Sequence, residues 1–294
     1  MGMMYTTISP DALGVRGLPL SEAIDLTRDA GFAGLSFDSR AAARAIDEQG
    51  LAVVQEQFAQ AGVKPALWNL PVAWRDEGQW EADLRELPRL ARAARELGST
   101  RTATFMPSGS DERPFQENFD WHVARLRPIA EVLRDEGCRF GIEFIGPKTY
   151  RAAFRHEFIY TLDGVMELIA AIGTGNVGVM LDSWHLYTSG GSLADLQRLT
   201  NQDVVVVHVN DAPAGINRDE HIDTVRTLPM ETGVIDLVGF MRALREMGYD
   251  GPVMPEPFSQ RINDLAATDP QAAAREAAQS MDALWQAAGL RVAG

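Results

Sequence analysis

Short apolar runs and longer amphipathic stretches alternate along the whole chain. The apolar runs recur about every 30 residues, and each is followed by a stretch in which apolar residues have helical spacing. We interpret the runs as eight β-strands, at residues 4–9, 34–38, 64–70, 101–106, 140–145, 177–182, 204–210 and 252–256. Such an order is typical of repeated units of one strand and one helix.

The predicted helices have recognisable faces and ends. In segments 20–30 and 84–97, apolar residues recur at i, i+3, i+4 and i+7, which places them on one side of a helix. A glycine follows several of these segments where the periodicity stops, as a left-handed helix cap favours. These glycines are Gly31, Gly62, Gly98, Gly137, Gly173 and Gly248. We therefore expect one structural unit to be repeated.

The eight units predict an α/β fold, a (β/α)8 TIM barrel. The run from Val204 to Val207 is apolar without alternation, as in parallel strands that are covered on both faces. An open, doubly wound sheet is the alternative. Because no linker divides the units, we expect residues 1–294 to form a single domain. Loops 106–114 and 212–234 follow strands, so we expect them at the mouth of the barrel where active sites form.

Composition and charge narrow the classes of partner. The formal net charge is −14, the pI is about 4.8, and no Lys/Arg cluster is present, so binding to nucleic acid is disfavoured. The apolar segments are too short to span a membrane, and residues 1–10 lack the pattern of a secretory signal. The single cysteine, Cys138, is expected to pack in the core. We expect a cytoplasmic enzyme.

Four predicted strands end in a residue that can bind a metal ion. These residues are Glu143, Asp182, His208 and Glu256. Ionisable groups at the ends of buried strands are costly to desolvate unless a partner compensates them, and a shared cation would do so. The three carboxylates give the site a formal charge of −3, and a bound divalent ion would reduce this charge to −1. The ligand set predicts one divalent ion, Mn2+ first, with Mg2+, Co2+ or Fe2+ as alternatives.

The segments around these four residues resemble the metal-ligand motifs of a known family, the xylose isomerase-like TIM barrel superfamily (sugar phosphate isomerase/epimerase family). The matching segments, in the order of the family's motifs, are 141–144, 181–185, 207–211 and 255–257. The resemblance extends over the whole chain. It implies that the metal binds a ketone oxygen and a neighbouring hydroxyl of the substrate. It also implies that Glu143 and Glu256 are catalytic, one removing a proton and the other returning one through a cis-enediolate. His185 would bind a substrate oxygen or relay a proton.

Other substrate contacts are predicted less directly. Epimerases of this family carry an arginine a few residues after the metal-binding histidine, whereas here the nearest one is Arg218. Lys148 follows Glu143 in a segment that departs from the epimerase pattern, and Trp68 offers an aromatic wall for a sugar. A surface lysine and ordinary aromatic packing are the alternative interpretations.

The pattern leaves more than one function open. We expect an isomerase or epimerase that acts on a small carbohydrate substrate, a keto sugar or keto polyol. A lyase with the same site is the alternative, as in keto-inositol dehydratases or C-glycoside deglycosidases of this superfamily. A non-catalytic sugar-binding subunit is a third hypothesis. A DNA-repair endonuclease is disfavoured by the acidic charge and by the absence of histidines from the early strands. Homo-oligomers are common among barrels of this kind, so a homo-oligomer is an assembly to be tested.

Overall fold

The computed structural model describes residues 3–290, and all structural statements below refer to them. The strands are β1 (Tyr5–Ile8), β2 (Gly34–Phe37), β3 (Lys64–Asn69), β4 (Arg101–Met106), β5 (Gly109–Ser110), β6 (Arg139–Phe144), β7 (His156–Glu157), β8 (Val177–Asp182), β9 (Val204–Val209) and β10 (Pro252–Pro255). The helices are α1 (Leu20–Ala30), α2 (Ser39–Gln49), α3 (Leu51–Ala61), α4 (Trp80–Leu97), α5 (Phe115–Asp135), α6 (Lys148–Arg151), α7 (Leu162–Ile172), α8 (Ser183–Thr188), α9 (Leu193–Leu196), α10 (Leu237–Met247), α11 (Gln260–Thr268) and α12 (Pro270–Ala288).

Eight parallel strands close into one barrel. Their order around it is β1, β10, β9, β8, β6, β4, β3 and β2, and β2 pairs with β1 to complete the ring. Every predicted strand lies within one residue of an observed strand at both ends. The barrel is therefore confirmed, and the open-sheet alternative is wrong because the pairing of β1 with both β2 and β10 leaves no sheet edge.

The core has an inner part and an outer part. Leu67, Met180 and Met254 belong to a small cluster of strand residues, while the large cluster lies between the strands and the surrounding helices. Cys138 is buried, and burial raises the pKa of its thiol to about 11. The prediction that this cysteine packs in the core is confirmed.

The predicted helix ends are also observed. All six predicted stop glycines have φ between 65° and 105°, a conformation that glycine adopts without strain. Two features were not predicted. Gly50, with φ 89°, separates α2 from α3, and the short strands β5 and β7 form an antiparallel pair beside the barrel.

The two long loops lie beyond the carboxyl ends of β4 and β9. The loop after β4 contains β5, and the loop after β9 contains a short 3-10 turn, Arg218–Glu220. Backbone hydrogen bonds of 3.1 and 3.0 Å between Asp211 and Thr227 fold the second loop back against the end of β9. No helix of the described residues is long and apolar enough to cross a membrane.

Candidate metal centre

Four side chains from neighbouring strands converge at the carboxyl end of the barrel. Glu143 lies in β6, Asp182 ends β8, His208 lies in β9, and Glu256 follows β10. Each offers a ligand atom, and these atoms all lie within 4.8 Å of one another. We call these residues the four-residue cluster. Register explains part of the convergence, because Asp182 stands directly opposite His208 in the pairing of β8 with β9.

The cluster is buried and partly unpaired. Glu143, Asp182 and His208 are at most 5% exposed. Glu143 Oε1 and both ring nitrogens of His208 find no hydrogen-bond partner among the described residues. Buried polar atoms are rarely left in this state. His208 Nδ1 faces the carboxylates, 3.6 Å from Glu143 Oε1 and 3.4 Å from Glu256 Oε2. Three carboxylates and an imidazole with unused lone pairs fit a divalent cation.

Hydrogen bonds behind the cluster fix the direction of two of its members. Asp182 Oδ1 accepts the backbone N–H of Trp184 at 2.7 Å, which also caps α8. The amide of Asn210 donates to both oxygens of Asp182 at 3.3 Å, and its Oδ1 accepts the backbone N–H of Glu256 at 2.7 Å. Asn210 therefore ties the Asp182 side chain to the backbone at Glu256, as supporting residues around metal ligands commonly do.

The protonation of the cluster follows from burial and from mutual repulsion. Burial raises the pKa of Glu143 well above its ordinary value, and the charges of Glu256 and Asp182 raise it further. For Glu256, burial acts in the same direction, but His208 and Arg226 outweigh it, so the pKa of Glu256 is lowered. Burial would lower the pKa of His208, yet Glu256 and Asp182 reverse the direction. Glu143 is therefore a carboxylate whose ionised form is disfavoured both by burial and by its neighbours, whereas that of Glu256 is favoured.

Arg226 is the residue of this region that sequence reasoning missed. Its side chain is 1% exposed, and Nη1 donates to Asp182 Oδ2 at 2.9 Å and to Glu256 Oε2 at 3.0 Å. Its Nε donates to the backbone oxygen of Asp223 at 2.9 Å, and Nη2 donates to Asp223 Oδ1 at 3.1 Å. Position in a long loop does not predict this placement. The pairing of the neighbouring Thr227 with Asp211 helps to place Arg226, and the sequence carries no signal of that pairing.

His185 lies beside the cluster on α8. Its Nδ1 accepts the backbone N–H of Gly146 at 3.1 Å, and Arg226 Nη2 lies 3.3 Å from its Nε2. That nitrogen is 3.9 Å from Glu143 Oε1 and 3.9 Å from Asp182 Oδ2. Burial lowers the pKa of His185 well below its ordinary value, and the positive charge of Arg226 adds to this effect. The ring is therefore neutral, and its Nε2 faces the carboxylates of the cluster.

The other three predicted substrate contacts are not brought to the cluster. Lys148 is exposed and pairs with Asp219 at 2.8 Å. Arg218 is exposed in the 3-10 turn of the loop after β9, whereas the arginine in contact with the carboxylates is Arg226. Trp68 is fully buried and belongs to the large core cluster, so its ring offers no accessible face to a substrate. This packing is the ordinary role of a strand aromatic.

Comparison with known proteins gives the same fold and related enzymes. Inosose isomerase of Bacillus velezensis is 24% identical over 242 residues, which are 80% of this chain and 82% of that protein. A xylose isomerase domain protein of Alicyclobacillus acidocaldarius has a solved structure that matches with a TM-score of 0.84 and 30% identity, covering 97% of this chain and 99% of the other.

A second solved structure, the IOLI protein with a bound zinc atom, matches with a TM-score of 0.76 and 20% identity over 97% of this chain and 98% of that one. At this identity the likeness concerns the fold. The family model described as xylose isomerase-like TIM barrel matches residues 24–284. The chain therefore belongs to the xylose isomerase-like TIM barrel family.

Proposed function

We propose that the protein is a divalent-metal-dependent isomerase or epimerase of a keto sugar or keto polyol. The observation that carries the proposal is the four-residue cluster, in which ligand atoms of three carboxylates and one imidazole converge, and in which Glu143 Oε1 and both ring nitrogens of His208 are buried without a hydrogen-bond partner among the described residues. The similarity to an inosose isomerase, named for a keto polyol, supports this substrate class. The zinc atom in the IOLI structure, which has the same fold, supports a metal-binding role for the cluster.

Glu143, Asp182, His208 and Glu256 would hold the ion. A bound divalent cation would supply Lewis acidity, which stabilises the negative charge that develops on a ketone oxygen when the adjacent carbon loses a proton. The hard, mainly oxygen ligand set favours Mn2+, with Mg2+, Co2+ and Fe2+ as alternatives, and the zinc-containing relative adds Zn2+ to the ions to be tested.

Glu143 and Glu256 are suited to move protons on opposite sides of a substrate. Their strands, β6 and β10, are separated around the barrel by β8 and β9. His208 lies between them, with Nδ1 at 3.6 Å from one carboxylate and 3.4 Å from the other. One carboxylate removes the proton next to the ketone, and the other returns a proton to a different carbon or to the other face.

His185 is suited to orient the substrate. It is neutral, its Nδ1 accepts the backbone N–H of Gly146, and its Nε2 faces the cluster. A substrate hydroxyl can form a hydrogen bond with this nitrogen, because a hydroxyl both donates and accepts. Since the ring is only 1% exposed, water competes weakly for the same nitrogen.

The test is proton exchange in deuterated water. The protein is freed of metal with a chelator, loaded with Mn2+, Mg2+, Co2+ or Zn2+ in turn, and incubated with keto polyols and ketoses. The proposal predicts metal-dependent incorporation of deuterium next to the ketone, with recovery of an isomer or epimer. The variants Glu143→Gln and Glu256→Gln should each lose about 10²- to 10⁴-fold in turnover, the contribution of a positioned acid or base.

Glu157→Gln is the matched control, because Glu157 is an exposed glutamate on β7 outside the four-residue cluster. It should keep wild-type turnover. Loss of water or of an attached group from the substrate would instead support the lyase alternative. Unchanged turnover in both cluster variants, with any active substrate, would contradict the proposed roles of the two glutamates.

A further inference from the structure

The charge around the four-residue cluster is not set by its members alone. Through one nitrogen, Nη1, Arg226 contacts an oxygen of Asp182 and an oxygen of Glu256, at 2.9 and 3.0 Å. The guanidinium is 1% exposed and stays ionised at any ordinary pH. The three carboxylates and this arginine together carry a formal −2, which a divalent ion would neutralise. Without the arginine the same carboxylates would carry −3.

Contacts other than those with the two carboxylates also hold Arg226 in place. Its backbone is held next to the pairing of Thr227 with Asp211. Its guanidinium also donates to the backbone oxygen and the side chain of Asp223. The rings of Trp184 and Phe258 lie against it, with centroids 5.3 and 4.6 Å from its central carbon. The positive charge of Arg226 is therefore held in a fixed position beside the four-residue cluster.

A fixed cation and a metal ion that share two carboxylates act on each other. Both compensate the same buried negative charge, so each makes the other less necessary. They also repel one another across a short distance in a region of low dielectric. The charged arginine and the bound metal ion therefore disfavour one another. By linkage, the free energy by which the arginine weakens metal binding equals the free energy by which the bound metal weakens the arginine's contacts.

We propose that Arg226 is a built-in counter-cation, which stabilises the carboxylates of the four-residue cluster and weakens the binding of a divalent ion to them. This inference rests on the proposed metal function. The predicted effect of Arg226 on metal affinity is opposite in sign to that of an arginine that only aligns the ligands. An aligning arginine would strengthen metal binding, whereas a counter-cation weakens it, because Arg226 Nη1 occupies the same oxygens of Asp182 and Glu256 that would face the ion.

The experiment compares wild type with Arg226→Gln and Arg226→Lys. Glutamine removes the charge but can still donate to one carboxylate, and lysine keeps the charge without the planar fork. Thermal unfolding is followed by circular dichroism with a chelator and with saturating Mn2+, and Mn2+ affinity is measured by competition with a metal-sensitive dye. With the chelator, Arg226→Gln should unfold at a lower temperature than wild type.

With Mn2+, the stabilisation of Arg226→Gln should exceed that of wild type, and its Mn2+ affinity should be roughly tenfold tighter. Arg226→Lys should stay close to wild type in both. If Arg226→Gln folds only with Mn2+, the inference is supported, and failure to fold with saturating Mn2+ overturns it. Equal or weaker Mn2+ binding by Arg226→Gln also overturns it. If wild type itself binds no divalent ion, the proposed function fails instead.

Discussion

His122 lies on α5 among aromatic rings, outside the four-residue cluster. It stacks on Phe158 with centroids 4.6 Å apart and contacts the rings of Trp74 and Trp121 edge-on. Its Nδ1 lies 2.7 Å from the backbone oxygen of Asn118, so this nitrogen carries the proton and donates. Burial lowers the pKa of His122 from 6.5 to about 4. The ring is therefore neutral in the folded protein over most of the usable pH range.

The low pKa of His122 predicts a specific sensitivity to acid. The unfolded chain takes up a proton near pH 6.5, before the folded chain does, so this stability is present above pH 6.5 and is lost as the pH falls toward 4. Between pH 7 and pH 5 the loss from this residue is about 2 kcal/mol. Urea unfolding of His122→Phe, which keeps an aromatic ring, should show a pH effect smaller by that amount.

His156→Gln is the control for this measurement, since His156 is only half-buried and lies on β7. It should lose as much stability on acidification as wild type does. If His122→Phe also loses as much as wild type, the buried neutral state of His122 does not contribute to acid sensitivity.

Single residues of the candidate site differ in how far the sequence predicts them. The four-residue cluster can be predicted from the sequence because each member interrupts or ends an apolar strand, and neighbouring strands of a barrel bring their ends together. Arg226 cannot be predicted in this way. Its place depends on the path of the loop after β9, where Arg218 is nearer to His208 in sequence but lies at the surface. Side chains on loops are positioned by contacts that periodicity does not encode.

The turn between β6 and α6 links a backbone constraint to the candidate site. Gly146 donates its N–H to His185, and a Cβ at this position would lie 2.3 Å from the backbone oxygen of His185 and 2.6 Å from Thr188 Oγ1. Neither neighbour is the free end of a flexible side chain. Glycine is therefore required here for close approach rather than for an unusual φ.

Gly146→Ala should displace α8 and the ring of His185. We expect it to destabilise the fold by about 1–3 kcal/mol, as overpacking of a buried position does. We also expect it to raise KM for the substrate found in the exchange assay. Gly78→Ala is the control, because the nearest atom to its Cβ is 3.4 Å away. Wild-type stability and KM in Gly146→Ala would show that the turn can relax without moving His185.

At the level of elements, the sequence predicts the long features and misses the short ones. The eight barrel strands are predicted because each is a segment of four to six residues, rich in apolar and β-branched side chains, between turn signals. Strands β5 and β7 have two residues each and carry no periodicity that could reveal them. The division between α2 and α3 is also missed. The segments on both sides of Gly50 have helical patterns, and the positive φ of Gly50 that separates them is seen only in the structure.

The closed barrel explains why these four strands supply the four-residue cluster. Because β6, β8, β9 and β10 are consecutive in the closed ring, their last residues occupy one arc of the mouth. Helix α12 packs on α1 and α10, joining the last unit to the first and completing the outer layer. Closure therefore converts residues that are far apart in the sequence into one buried group.

The central claim is that this arc of the barrel binds one divalent ion through Glu143, Asp182, His208 and Glu256. Its most direct test is the anomalous diffraction of a crystal grown with Mn2+. The account predicts one strong anomalous peak within about 2.0–2.4 Å of a ligand atom from each of the four residues. An anomalous peak at another place, or a well-ordered cluster without one at saturating Mn2+, would contradict it.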